Sequence, residues 1–99
     1  RENRDFLARC TVGFDRFRDY VTGAVDGTPK TPDWAEAITE VPAATIRRLA
    51  LEASGAPAML TATWSLQRAE NGEQPWWALV ALASMLGGIG KPGQGIAFG

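Results

Sequence analysis

The feature that most constrains the fold is a short apolar run, residues 58–63, that carries no charged side chain and follows the helix breakers Gly55 and Pro57. A run of this length between breakers is typical of a buried strand in a parallel sheet. Such a strand needs hydrogen-bonding partners for its backbone N–H and C=O groups. Because the sequence indicates about one strand, we expect its partner strands to lie outside this chain, in a longer parent protein or in a second copy.

The first half of the chain carries helical patterns. Apolar residues recur at steps of three and four over residues 6–21, and Gly13 is expected to divide this stretch into two helices, the second of which should stop at Gly23. Thr31 followed by Pro32 is typical of a helix start, since a threonine hydroxyl caps free N–H groups and proline suits the first helical position. The helix that begins there should end near Glu40.

Two further helices are predicted, over residues 43–53 and 76–86. The second is apolar around most of its circumference, so it should be buried on several sides. The sequence therefore predicts an α/β protein of about one domain's length. We expect a helical part at about residues 1–56 and a strand, polar loop and buried helix at about 57–99.

Composition excludes several classes of function. Ten Lys and Arg against eleven Asp and Glu give a net charge of −1, so nothing favours binding to a nucleic-acid backbone. The chain has no histidine and one cysteine, Cys10, which excludes zinc fingers, histidine-based catalysis and disulfide scaffolds within it. Cys10 falls on the apolar face of the first predicted helix and is expected to be a small core residue.

The best candidate site is the polar loop predicted over residues 64–75, directly after the strand. Loops at the carboxyl ends of parallel strands are the usual ligand sites of α/β folds. The planar guanidinium of Arg68 can bind a phosphate or the edge of a heterocycle. Gln67 and Ser65 can donate and accept hydrogen bonds, and Trp64 offers a flat apolar face.

A plainer interpretation of the same loop stays open. Surface loops are polar by default, and Arg68 could simply pair with Glu70 or Glu73. These two glutamates could also suggest paired catalytic acids, but nothing in the sequence fixes the distance between them, so a hydrolase is disfavoured.

A glycine-rich segment near the end of the chain contains the pattern G-x-G-x-x-G at residues 88–93. A dinucleotide-binding fingerprint must follow a strand and open a helix, whereas this one follows a predicted helix and holds Pro92 where a new helix would start. We therefore interpret it as a helix stop and a tight turn, with Lys91 facing solvent.

Several short sequence motifs together resemble those of the molybdopterin oxidoreductases, in the branch that reduces dimethyl sulfoxide, trimethylamine N-oxide and biotin sulfoxide. They occur in the same order as in that family and cover nearly the whole chain. The motifs are TVGFD at 11–15, KTPDWA at 30–35, VPAATIR at 41–47, WSLQR at 64–68, NGEQP at 71–75 and MLGGIGKPGQG at 85–95.

The resemblance implies that this chain is an internal slice of a multi-domain parallel-sheet α/β molybdoenzyme that binds molybdenum as a bis(molybdopterin guanine dinucleotide). Its partners would be the rest of the parent enzyme and a small S-oxide or N-oxide. By resemblance Trp64, Ser65 and Arg68 would line the pterin dinucleotide and the substrate funnel, with Gln67 a further candidate. The family's serine metal ligand comes from an earlier segment, so no metal ligand is assigned here. A periplasmic location is favoured over a cytoplasmic one.

A different class of function is a non-catalytic α/β module that packs on partners through its tryptophans and open strand edges. Binding of a pterin dinucleotide would favour the enzyme segment, and concentration-dependent association without ligand would favour the module. In either case the isolated chain is expected to lack reductase activity, and it could associate with itself.

Overall fold

The computed structural model of the protein describes residues 2–98, so residues 1 and 99, the two ends of the predicted fragment, lie outside the described part. The described elements are α1 (Arg4–Cys10), α2 (Phe14–Thr22), α3 (Pro32–Thr39), α4 (Ala43–Gly55), β1 (Met59–Ala62), a 3-10 helix (Trp64–Gln67), α5 (Glu73–Leu86) and β2 (Gly95–Phe98). The prediction of an α/β chain is confirmed. None of the described helices is long and apolar enough to cross a membrane.

The described chain forms two units. One is Val12–Glu52, which is helical, and the other joins the residues up to Thr11 with those from Ala53 onward. The second unit therefore holds α1 together with both strands, the 3-10 helix and α5.

The helix ends in the Val12–Glu52 unit follow the predicted signals. Gly13 and Gly23 flank α2 with φ of 78° and 84°, a left-handed backbone that glycine adopts without a steric penalty. The Thr31 hydroxyl accepts a hydrogen bond from the Trp34 N–H at 3.2 Å and so caps α3. That helix ends at Thr39, as predicted.

The connection between α2 and α3 is organised by Lys30, whose side chain is 9% exposed. Its ammonium group pairs with the Asp26 carboxylate, donates to the Thr28 carbonyl at 2.8 Å and lies 4.1 Å from the centre of the Tyr20 ring. The hydrogen bond from Lys30 is the largest cause of a lowered pKa at Asp26. The Lys30 ammonium is thus satisfied within its own connection.

In the other unit, β1 and β2 form a parallel two-stranded sheet in which Met59 pairs with Gly95 and Ala62 with Phe98. Helix α5 makes the crossover between them, as parallel strands require. The expectation that every partner of β1 lies outside the chain is therefore wrong. The expectation that this strand is buried is also wrong for the described residues: Met59 and Thr61 are exposed, whereas Leu60 and Ala62 are half-buried, because the described chain leaves one face of the strand uncovered. Strand β2 was missed because its four residues follow a run of glycines and are too few to show a strand periodicity.

The small core of this unit lies between α1 and α5. Phe6 and Leu7 of α1 are buried, as is Ala83 of α5. The Asn3 side chain caps α1 by accepting from the Phe6 N–H at 3.0 Å, and the Asn3 N–H donates to the Met85 carbonyl at 2.7 Å. That second bond satisfies one of the carbonyls that the end of α5 leaves without a helical partner.

Three local predictions need correction. Cys10 is exposed rather than part of the core, because it is the last residue of the short α1. Residues 64–75 are not one irregular loop, since their first four residues form the 3-10 helix. Helix α5 begins at Glu73 rather than at residue 76, because Pro75 lies in its first turn, where its missing N–H costs no helical hydrogen bond.

The apolar circumference of α5 is only partly covered by the described residues. Ala83 and Ser84 are its buried positions, whereas Trp77, Val80 and Leu82 are exposed, Trp77 to 63%. The expectation that α5 is buried on several sides is therefore wrong for this chain taken alone.

Candidate functional site

The four predicted site residues lie together at the carboxyl end of β1, in and just after the 3-10 helix. Two backbone bonds hold this turn: the Leu66 N–H donates to the Thr63 carbonyl at 3.1 Å, and the Arg68 N–H donates to the Ser65 carbonyl at 3.0 Å. The hydroxyl groups of Thr63 and Ser65 are 2.6 Å apart and share a hydrogen bond. The strand end and the turn are therefore linked by side chain as well as by backbone.

All four residues are exposed, Trp64 to 51%. The Arg68 guanidinium forms no ion pair with any carboxylate between residues 2 and 98. Glu70 and Glu73 are exposed as well. The ion pair that the plainer interpretation of this loop invokes is thus absent from the described part of the chain, and Arg68 can offer its donors to a ligand.

The turn is packed against the start of α5 at one close contact. Gly72 is buried, and a Cβ built on it would lie 2.1 Å from the carbonyl oxygen of Gln67. The backbones of Gln67 and Gly72 can approach this closely because glycine has no side chain.

The glycine-rich segment lies at the opposite end of the sheet, where the strands begin. It follows α5 and leads into β2, whose first residue, Gly95, pairs with the first residue of β1. Gly87 ends α5 with φ of 71°, and Gly90 and Gly93 have φ of 86° and 71°. The prediction of a helix stop and tight turns is confirmed, and Lys91 is exposed as predicted. No helix follows this segment in the described chain, so it does not form a dinucleotide-binding fingerprint.

Two residues that shape the site were missed by sequence reasoning, Thr63 and Gly72. Thr63 was included in the strand, although it is the residue that precedes the 3-10 helix and holds Ser65. Asn71-Gly72 is a turn-forming dipeptide, and Asn71 has a left-handed φ of 57°. That dipeptide could have indicated a tight connection here, but not which backbone atoms it brings together.

The described residues contain no group of three or more His, Cys, Asp or Glu side chains that could hold a metal ion. The candidate site offers hydrogen-bond donors and acceptors together with an aromatic ring, which suit the binding of a ligand. These groups lie after the carboxyl end of β1: the guanidinium of Arg68, the hydroxyl of Ser65, the amide of Gln67 and the indole of Trp64.

Known proteins resemble the chain over nearly its whole length. It is 50% identical over 99 residues to the biotin sulfoxide reductase of Cereibacter sphaeroides and 54% identical over 93 residues to the dimethyl sulfoxide/trimethylamine N-oxide reductase of the same organism. It is 47% identical over 95 residues to the trimethylamine-N-oxide reductase of Haemophilus influenzae. The chain is homologous to a segment of these S-oxide and N-oxide reductases. No family model matches it.

These matches cover 94–100% of the chain but only 11–13% of each reductase. The chain thus spans about an eighth of the length of these oxidoreductases, all of which are bacterial. The resemblance inferred from the sequence motifs is confirmed.

Proposed function

We propose that this chain is a segment of a molybdenum-dependent reductase of S-oxides or N-oxides, in which Trp64, Ser65, Gln67 and Arg68 contact a molybdopterin guanine dinucleotide. The homologous proteins are reductases of biotin sulfoxide, dimethyl sulfoxide and trimethylamine N-oxide, which supports the reaction class. The observation that carries the assignment of the site is Arg68, an exposed guanidinium without a carboxylate partner among residues 2–98, at the carboxyl end of a parallel strand.

The donor chemistry of the site fits this cofactor. A pterin dinucleotide carries phosphate oxygens and the polar edges of two heterocycles, and a guanidinium binds such groups through paired N–H donors. The half-exposed ring of Trp64 provides an apolar face of the size of a heterocycle. Ser65 supplies a hydroxyl whose position is fixed by its bond to Thr63.

When bound, the cofactor supplies the redox chemistry that removes an oxygen atom from the S-oxide or N-oxide. The residues of this chain bind and orient. Arg68 holds an anionic or polarised oxygen by charge-assisted hydrogen bonds, and Trp64 excludes water beside it. The metal ligand, the second pterin dinucleotide and most of the substrate funnel are assigned to the rest of the parent enzyme, so turnover by the purified 99-residue chain would contradict the proposal.

Substitution of Arg68 in the complete reductase tests the site. A lost charge-assisted hydrogen bond costs about 1.5–3 kcal/mol, so Arg68→Ala should lower cofactor retention or kcat/KM by roughly ten- to hundredfold. Arg68→Lys should have a smaller but clear effect, because lysine keeps the charge and loses the paired, planar donors. Cofactor content and turnover are measured per folded molecule.

A matched control is Arg48→Ala. Arg48 is also exposed, and its 3.8 Å pair with Glu52 lies within one helix, so its loss should leave both quantities unchanged. Arg47 is less suitable because its guanidinium pairs with Asp33 on another helix. Equal cofactor content and turnover in the wild type and in Arg68→Ala would contradict the proposed contact and would support the plainer interpretation, an ordinary polar surface loop.

A further inference from the structure

Gly72 lies in the backbone connection between the proposed cofactor-binding residues and α5. The position that a Cβ would take at Gly72 is 2.1 Å from the carbonyl oxygen of Gln67, 2.5 Å from its carbonyl carbon and 2.7 Å from its Cα. All three are backbone atoms, so no side-chain rotation can relieve the overlap. Ordinary contacts of a Cβ begin at about 3.4 Å, so even a methyl group would have to push the Gln67 carbonyl oxygen away by more than an ångström and the other two atoms by somewhat less.

The requirement for glycine at this position comes from the contact and not from the backbone conformation. Gly72 has φ of −61° and ψ of −16°, which any residue adopts readily. Its N–H donates to the Ala69 carbonyl at 3.0 Å, so the turn that precedes α5 closes directly over Gln67.

The displaced atoms belong to the peptide unit that leads into Arg68. The Gln67 carbonyl carbon is bonded to the Arg68 nitrogen, and that nitrogen donates the 3.0 Å bond to Ser65 that holds the turn. A shift of the Gln67 carbonyl therefore moves the Arg68 backbone and strains that bond. The guanidinium would no longer project from the same place at the carboxyl end of β1.

We propose that Gly72 is a positioning residue of the reductase segment: by allowing the Gln67 backbone to pack on the start of α5, it sets where Arg68 meets the cofactor. The inference rests on the proposed function of Arg68 and goes beyond it, because Gly72 itself has no side chain to bind anything. A misplacement of about 1 Å in a site can cost up to about a hundredfold in rate.

Gly72→Ala in the complete reductase tests the proposal. We expect a folded protein whose kcat/KM or cofactor retention falls at least tenfold, but no further than in Arg68→Ala. Hydrogen exchange in the peptide that covers residues 63–72 should also rise. The matched control is Gly55→Ala, since Gly55 is a helical glycine whose Cβ would meet no atom within 4 Å. That control should keep wild-type activity and wild-type exchange in the 63–72 peptide.

The double variant Gly72→Ala with Arg68→Ala separates positioning from a purely structural role. If Gly72 acts through Arg68, adding Gly72→Ala to Arg68→Ala should lower kcat/KM by less than about threefold, because the group it positions is already gone. A further tenfold loss in that background, or a Gly72→Ala reductase that does not fold, would overturn the proposal in favour of a structural role.

The outcomes also distinguish this inference from the proposed function on which it rests. Wild-type behaviour of Gly72→Ala together with an impaired Arg68→Ala would overturn the positioning role alone. Wild-type behaviour of Arg68→Ala would overturn the cofactor contact and the positioning role with it.

Discussion

Two connections of this chain each carry one prominent cation, and they use it in opposite ways. In the connection between α2 and α3, the Lys30 side chain is almost fully buried, and its ammonium group pairs with the Asp26 carboxylate and donates to the Thr28 carbonyl. In the connection between β1 and α5, Arg68 is exposed and has no carboxylate partner among residues 2–98. The first cation holds its own segment together, and the second is held in place by a segment that does not need its charge.

The difference separates a cation that its own fold uses from one that its fold leaves available. The turn around Arg68 is held by backbone bonds, by the hydroxyl pair of Thr63 and Ser65 and by the close contact at Gly72. None of these uses the guanidinium. A charged side chain that its own fold does not use, placed where parallel strands end, is available for a ligand.

The largest effect on stability is expected from Lys30→Met. This change removes a bond to the Thr28 carbonyl and a cation–π contact with Tyr20, so local opening of the connection should become easier by about 1–3 kcal/mol. Hydrogen exchange of the peptides that cover residues 20–31 measures the change, and cofactor content should stay at the wild-type value.

Arg68→Ala should show the reverse behaviour in the same reductase. Exchange in its own connection should change by no more than about 0.5 kcal/mol, as for other exposed substitutions, while cofactor retention falls. If Lys30→Met reduced cofactor retention as strongly as Arg68→Ala, the distinction between the two cations would fail.

A smaller effect is expected from acid. The pKa of Asp26 is lowered from its usual 3.8, chiefly by the hydrogen bond from Lys30. A carboxylate with a lowered folded pKa contributes stability that is fully present above its unfolded pKa and is lost as the pH falls through the folded value. The connection between α2 and α3 should therefore open more easily only below about pH 3.8.

Hydrogen exchange followed from neutral to acidic pH, corrected for intrinsic rates, measures this loss. In Lys30→Met the acid-dependent part should be much reduced, because the main cause of the lowered pKa is gone. An equal pH dependence in the variant and in the wild type would show that Lys30 is not responsible for it.

The sequence was sufficient for the features that short-range physics determines. The glycine stops around α2, the Thr31 cap and the apolar strand at β1 all follow from the preferences of a few neighbouring residues, and the structure confirms them. The position of Arg68 at the end of a parallel strand could likewise be predicted from the order of strand, polar segment and helix. The contacts of that segment with a cofactor stay a prediction.

The features that the sequence did not yield depend on contacts or on very short elements. Strand β2 forms because it pairs with β1, to which α5 connects it in sequence. Four residues alone do not reveal such a pairing. The exposure of Cys10 depends on where α1 stops relative to its neighbours. The contact of Gly72 with the Gln67 backbone arises from the path of a turn, and a glycine in the sequence does not say which atoms will approach it.

The smallest effect is expected from the two glutamates nearest to Arg68 in sequence. Glu70 and Glu73 are exposed and form no ion pair with Arg68 in the described part of the chain, so they act on a bound anion only through solvent. Exposed charges at such sites contribute about 0.2–1 kcal/mol, so Glu70→Gln or Glu73→Gln should raise cofactor retention by less than about fivefold, and the gain should shrink at high salt. Retention measured at low and high ionic strength checks both parts. A tenfold or larger change that persists at high salt would mean that one of these carboxylates contacts Arg68 or the ligand directly, and the contrast between a satisfied Lys30 and an available Arg68 would no longer hold.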